Sequence, residues 1–164
     1  MIRTLQAFDI KGKNILIRAD LNVPMSGETI TNNFRIKSSL PTIKTCIEAG
    51  ASVILMSHLG RPKGREEQSL SLIPVGEELA GLLEMPIKFS ADCISTDAID
   101  TSISLKPGEI HLLENLRFYS EEEDNDADFS SQLARHGNIY INDAFGTAHR
   151  SHASNVGVVP FFKN

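Results

Sequence analysis

Cysteine, positive charge and long apolar runs are scarce in this chain, and each shortage removes a class of function. Only Cys46 and Cys93 are present, far apart and with no Cys-x-x-Cys, so they read as reduced structural thiols rather than a disulfide framework or a redox pair. Lys and Arg number 16 against 21 Asp and Glu, a formal net charge of −5. That balance argues against a general nucleic-acid binder or an anionic-membrane binder, whose affinity rests on summed positive charge. No apolar run approaches the roughly 20 residues of a membrane span. No secretory signal precedes the first predicted strand, so the expected compartment is cytoplasmic. Nucleotide and catalytic signatures are missing as well. The sequence contains no G-x-x-x-x-G-K-[ST], no G-x-G-x-x-G, no Gly-x-Ser-x-Gly elbow and no His/Cys/Asp grouping with zinc spacing. No metal site is expected.

What is present describes an ordinary globular protein. The 164 residues are 41% hydrophobic and 23% charged, which suits one domain with a sizeable core. Short apolar runs at residues 15–19, 52–56, 87–89, 110–113 and 139–141 read as strands covered on both faces. Helical patterns alternate with them. Ile36, Leu40, Ile43 and Ile47 follow one such stripe, capped by Gly50, with Pro41 predicting a kink or a split. Val75, Leu79, Leu82 and Leu83 form a second, with Pro74 near its start. Residues 127–136 make a third, with Phe129 and Leu133 inward and Gly137 as cap. Strand and helix in alternation predict a single α/β domain: a three-layer, doubly wound parallel sheet of Rossmann-like type. The acidic run at residues 121–128 reads as a solvated loop leading into a helix.

The residues that follow the strands carry the chemistry. In open parallel sheets, ligands bind where loops leave the carboxyl ends of strands. Those places hold Asp20, Leu21 and Asn22; then His58, Gly60 and Arg61; then Asn115 and Arg117; then Asp143, Gly146, His149, Arg150 and His152. Arg18, at a strand end, and Arg35, before the first helix, can join them. Arginine offers a planar, permanently charged fork for phosphate or carboxylate. A histidine beside a phosphate is held toward its protonated form. Gly60 and Gly146 let backbone amides approach an anion. Asp20 would repel a phosphate but can accept from a hydroxyl, and Asn22, on the same side of extended chain, can donate or accept. The ligand therefore carries hydroxyl as well as anionic groups. Taken singly, His58 or Arg61 is an ordinary surface residue, Asp143 a loop brace, His111 a structural strand residue and His136 a cation near a helix end. Arg3, Arg65 and Arg135 face solvent. The joint placement of four loops carries the reading.

The same residues resemble a known family. Ile15-Leu16-Ile17-Arg18-Ala19-Asp20-Leu21-Asn22-Val23-Pro24, Ser57-His58-Leu59-Gly60-Arg61-Pro62, Glu114-Asn115-Leu116-Arg117-Phe118 and the stretch from Asn142 through Gly146 and His149-Arg150-Ser151-His152 to Ser154 resemble the signatures of phosphoglycerate kinases. They occur in family order, from near residue 11 to about residue 158, and residues 159–164 depart from the family's passage into its interdomain segment. The resemblance covers the amino-terminal half only. It implies that residues 1–164 form the phosphoglycerate-binding domain and that the nucleotide-binding carboxy-terminal domain is absent. It implies reversible phosphoryl transfer between 1,3-bisphosphoglycerate and ADP, giving 3-phosphoglycerate and ATP, with Mg-ADP or Mg-ATP as co-substrate bound by the absent domain, and a chain nearly inactive alone. The implied substrate-binding residues are Asp20, Leu21, Asn22, Arg35, His58, Leu59, Gly60, Arg61, Arg117 and Arg150. Arg18, His149 and His152 complete a basic patch, and Arg35 is the implied catalytic residue. Expected partners are small molecules, with no nucleic acid and no membrane, and the whole enzyme is expected to be monomeric. The alternative from another class is a non-catalytic module for a different phosphorylated ligand or RNA.

Overall fold

The computed structural model describes residues 9–144 and 151–162. Its elements in chain order are β1 (Asn14–Ala19), β2 (Met25–Ser26), β3 (Thr29–Ile30), α1 (Phe34–Glu48), β4 (Ser52–Met56), α2 (Ile73–Leu83), β5 (Lys88–Ser90), α3 (Thr96–Ile103), β6 (Ile110–Leu113), α4 (Ser120–Glu123), α5 (Ala127–Ala134) and β7 (Ile139–Asp143). Five strands pair in parallel in the order β5-β6-β4-β1-β7, while β2 and β3 form a small antiparallel hairpin. Register aligns the strand ends: Arg18 of β1 lies opposite Met56 of β4 and Asn142 of β7, and Leu55 of β4 lies opposite Leu112 of β6.

The alternation of side chains along these strands builds two cores. Ile15, Ile17, Val53, Leu55, Ile110 and Leu112 face one side and pack with Ile36 and Ile43 of α1 and Val75 and Leu79 of α2. Leu16, Ile54, Met56 and Leu113 face the other side and pack with Ala98 of α3 and Phe129 and Leu133 of α5. A strand buried on both faces has no polar side to alternate with, which is why these runs are continuously apolar. The sheet flanked by helices is the α/β architecture that the sequence predicts.

Several local expectations are corrected. Pro41 does not split its helix. One uninterrupted helix spans Phe34–Glu48, because burial of Ile36, Ser39, Ile43 and Cys46 on one face outweighs one missing backbone donor. Helix α5 ends at Ala134, before His136. Gly137 is not a left-handed cap but a close approach: a Cβ there would sit 3.0 Å from the Asn14 carbonyl and from Leu16. His136 is fully buried rather than a cation at a helix end, and burial pushes it down to about 4, leaving it neutral. The acidic run is not wholly solvated, since Glu122 of α4 is fully buried. Strand β5 lies one residue later than predicted and β7 two residues longer. Phe161 is half exposed, whereas Phe162 is half-buried with its ring 5.7 Å from that of Tyr140. Among the described residues no helix is long and apolar enough to cross a membrane.

Candidate functional site

The parallel register brings the loops after β1, β4 and β6 to one edge of the sheet, where they brace one another. Ser57 is the junction. Its hydroxyl accepts from the Leu21 amide at 3.0 Å, and its carbonyl accepts from the Leu116 amide at 3.0 Å. Asn115 donates from Nδ2 to the carbonyls of Leu59 (2.8 Å) and Leu70 (3.0 Å) and accepts at Oδ1 from the Arg117 amide (3.0 Å). Buried Glu114 accepts from the amides of Leu72 (2.8 Å) and Asn115 (2.9 Å) and from the Ser71 hydroxyl (2.7 Å). Every loop carbonyl or amide tied in this way is one that cannot drift when a charged ligand arrives.

Asn22 and Gly60 meet directly. The Asn22 side-chain oxygen accepts from the Gly60 amide at 2.9 Å, which leaves its NH2 group as the remaining donor. Gly60 has φ +62°, a left-handed conformation that favours glycine, and its Cα faces the tip of the Leu70 side chain. Arg35 donates to the Asn22 carbonyl at 2.6 Å and lies 3.5 Å from Asp20. It is half exposed at the first turn of α1, over an open cleft of about 460 Å³ lined by Asn22, Val23, Pro24, Asn32, Phe34 and Arg35. Phe34 is 70% exposed beside it.

Behind this surface stands Arg18, buried under the loops. It donates from Nη1 to the Ala19 carbonyl (2.6 Å) and toward Ser57 Oγ (3.3 Å), from Nη2 to His58 Nδ1 (2.8 Å), and from Nε to Ser154 Oγ (2.9 Å). Burial pushes its guanidinium below the ordinary value, and the Glu122 carboxylate is the strongest opposing influence. Glu122 accepts from the Ser154 amide at 2.7 Å and from the Ser154 hydroxyl. Arg18 and His58 therefore belong to one buried polar assembly reaching from the sheet edge to α4.

The remaining predicted residues fall into distinct positions. Leu21 and Leu59 are buried in the core, so any contact they make with a ligand is through main chain. The Leu21 amide and carbonyl are already engaged, by Ser57 Oγ and by the Val23 amide at 3.0 Å. Arg117 is buried and its carbonyl accepts from the Gly64 amide at 3.1 Å; Arg61, in the loop after β4, is exposed. His152 is buried two residues before Ser154, and its amide donates to Asn155 Oδ1 at 2.9 Å. Asp143 is half-buried at the end of β7, its carboxyl pushed up by burial. Gly146, His149 and Arg150 lie outside the described residues. Sequence reasoning missed Glu122, and it gave Ser57 and Ser154, both inside the signature stretches, no role of their own. Ser57 carried the signal of its place directly after the buried strand β4, whereas Glu122 carried none. Among the described residues no group of three or more His, Cys, Asp or Glu side chains is placed to hold a metal ion.

With that geometry in hand, similarity to known proteins is specific. The family model described as phosphoglycerate kinase matches residues 5–164, so the match continues through the last residues, where the motifs alone suggested a departure. A phosphoglycerate kinase of Chlorobium limicola is 51% identical over 160 residues, covering 97% of this chain and 40% of that protein. One from Borreliella afzelii is 46% identical over 158 residues, again covering 40% of its length. The structure of phosphoglycerate kinase from Coxiella burnetii superimposes with a TM-score of 0.87 at 38% identity, covering 97% of this chain and 39% of that one. The enzyme from Pyrococcus horikoshii gives 0.89 at 34% identity, covering 99% and 41%. The chain thus spans about two fifths of the length of the relatives it matches, and it belongs to the phosphoglycerate kinase family.

Proposed function

We propose that residues 1–164 are the phosphoglycerate-binding domain of a phosphoglycerate kinase, and that the nucleotide-binding domain lies in the part of the family's length this chain does not span. The observation that carries the reading is the sheet edge itself. His58, Arg61 and Arg117 follow β4 and β6 in the loops at that edge, Arg35 is tethered to Asn22 beside Asp20, and no phosphate loop for a nucleotide exists in the sequence. Arg61 and Arg117, with Arg150, grip the 3-phosphate, helped by His58 or His149. Asp20 and the Asn22 NH2 group orient the glycerate hydroxyl. Arg18 and His152 act from behind this surface.

The chemistry asks little more of these residues. Phosphoryl transfer between 1,3-bisphosphoglycerate and ADP depends on positioning and charge neutralisation. In the reverse direction the nucleophile is the carboxylate of 3-phosphoglycerate, already ionised at neutral pH, so no general base is needed. Arg35 is the catalytic residue: half exposed and held by the Asn22 carbonyl, it can leave that tether and reach the transferring phosphoryl group. Mg-ADP or Mg-ATP is bound by the part of the family's length that this chain does not span, so residues 1–164 alone have almost no turnover. The reading carries with it a small-molecule substrate and a cytoplasmic, monomeric whole enzyme.

Arg61 provides the cleanest test, because its exposure separates binding from folding. Arg61→Ala removes one charge-assisted contact, about 1.5–3 kcal/mol, which is roughly a ten- to hundredfold loss of 3-phosphoglycerate affinity. Titration calorimetry measures it. An unchanged affinity would remove Arg61 from the site, and turnover near that of a full-length relative in a coupled assay would contradict the division of labour.

A further inference from the structure

We infer that Glu122 and Ser154 are positioning residues that hold Arg18 so that His58 is kept as a neutral ring carrying its proton on Nε2. The inference about the ring stands on geometry alone; its consequence for affinity rests on the function proposed above.

The direction of every hydrogen bond in this chain of contacts is fixed by groups that have no choice. An arginine side chain only donates. Nη2 of Arg18 lies 2.8 Å from His58 Nδ1, so Nδ1 accepts, and a ring that accepts there cannot be the doubly protonated imidazolium. Its single N–H is on Nε2, at the far side of the ring from Arg18. At the other end, a carboxylate only accepts. Ser154 Oγ takes the Arg18 Nε–H at 2.9 Å, so its own proton goes to Glu122. The Ser154 amide, 2.7 Å from the second Glu122 oxygen, fixes the serine against that carboxylate. Reading from donor-only to acceptor-only groups fixes the proton in each of these contacts.

The assembly is also balanced in charge. Arg18 and Glu122 are both buried, and one hydroxyl separates the cation from the anion. Removing Glu122 takes from Arg18 its strongest compensating charge in a desolvated place. Arg18 is held by four groups: the Ala19 carbonyl, Ser57 Oγ, Ser154 Oγ and the His58 ring. Three of them sit at the sheet edge and one is anchored to α4. The α4 link pulls the guanidinium from behind, so that Nη2 faces the His58 ring. The sequence predicts a protonated histidine beside a phosphate; the structure assigns a different division. Arg18 keeps the charge, and His58 contributes a directed Nε2–H donor.

A two-bond proton–nitrogen correlation spectrum of the nitrogen-15-labelled chain, without ligand and at neutral pH, reads the tautomer directly. It should be recorded for the unaltered chain, Ser154→Ala, Ser154→Thr and Glu122→Gln, each also titrated with 3-phosphoglycerate. In the unaltered chain and Ser154→Thr, which keeps the hydroxyl, His58 should show an unprotonated Nδ1 and a protonated Nε2. In Ser154→Ala and Glu122→Gln the two nitrogen shifts should move toward each other, as the tautomers mix, and 3-phosphoglycerate affinity should fall about tenfold. A protonated Nδ1 in the unaltered chain overturns the inference. So does an unchanged His58 signature in both disruptive variants, or their failure to fold, which would make the pair structural only. The expected tautomers with no phosphoglycerate binding would strike the proposed function and leave the positioning chain standing.

Discussion

Between pH 6.5 and pH 4 the chain is expected to lose about 6 kcal/mol of folding stability through two buried histidines. His136 Nε2 donates to the Cys93 carbonyl at 2.7 Å, since a carbonyl can only accept. Its Nδ1 therefore accepts from Ser102 Oγ at 2.6 Å. Ser102 Oγ accepts from His111 Nδ1 at 2.8 Å, and His111 Nε2 accepts from Ser90 Oγ at 2.7 Å. The two neutral rings satisfy this chain completely, and a further proton on either has no acceptor waiting. Burial pushes each ring from 6.5 down to about 4. His136 and Lys88 add to the effect at His111, and Arg135 adds to it at His136.

The sign follows from linkage. A histidine whose folded value lies below its unfolded value contributes its full stability above about pH 6.5 and loses it as pH falls toward 4. Each ring accounts for about 3 kcal/mol, against a total of about 5–15 kcal/mol for a typical domain. Asp143 works in the opposite sense, because burial raises its value and protonation then favours the folded state. Urea unfolding at pH 7, 5.5 and 4.5 measures the slope, which should fall by about half in His111→Gln. A stability that stays level from pH 7 to pH 4.5 would contradict the account.

Glu122→Ala should cost about 3–5 kcal/mol, the range for breaking a buried ion pair by removing one partner. The loss has two parts. Arg18 remains buried and charged with its strongest compensating carboxylate gone, and the Ser154 amide and hydroxyl lose their acceptor. Urea unfolding at pH 7 reads the difference. A loss under about 1 kcal/mol would mean that Glu122 behaves as the solvated surface acid its sequence neighbourhood suggests.

That neighbourhood explains what could and could not be read from the sequence. The sheet was legible because a strand covered on both faces must be apolar at every position, as Val53-Ile54-Leu55-Met56 is. The position of the candidate loops was legible for a related reason: His58, Asn115 and Asp20 each follow such a run within a few residues. Helix α3 was not, because eight mostly polar residues in Thr96–Ile103 carry no long periodic stripe. The β2–β3 hairpin has strands of two residues, too short for alternation to register. Glu122 and His136 were misplaced because burial of a polar group is decided by partners distant in sequence. Ser154 for the one and Ser102 with the Cys93 carbonyl for the other lie some 30 to 40 residues away. Gly137 looked like a helix cap for want of any sequence trace of the Asn14 carbonyl that presses against it.

If residues 1–164 are the phosphoglycerate-binding domain, they hold one substrate of phosphoglycerate kinase and not the other. Calorimetric titration of the chain with 3-phosphoglycerate and, separately, with Mg-ADP tests it most directly. Saturable one-to-one binding of 3-phosphoglycerate and no saturable heat with Mg-ADP are expected. Binding of Mg-ADP without 3-phosphoglycerate would contradict it.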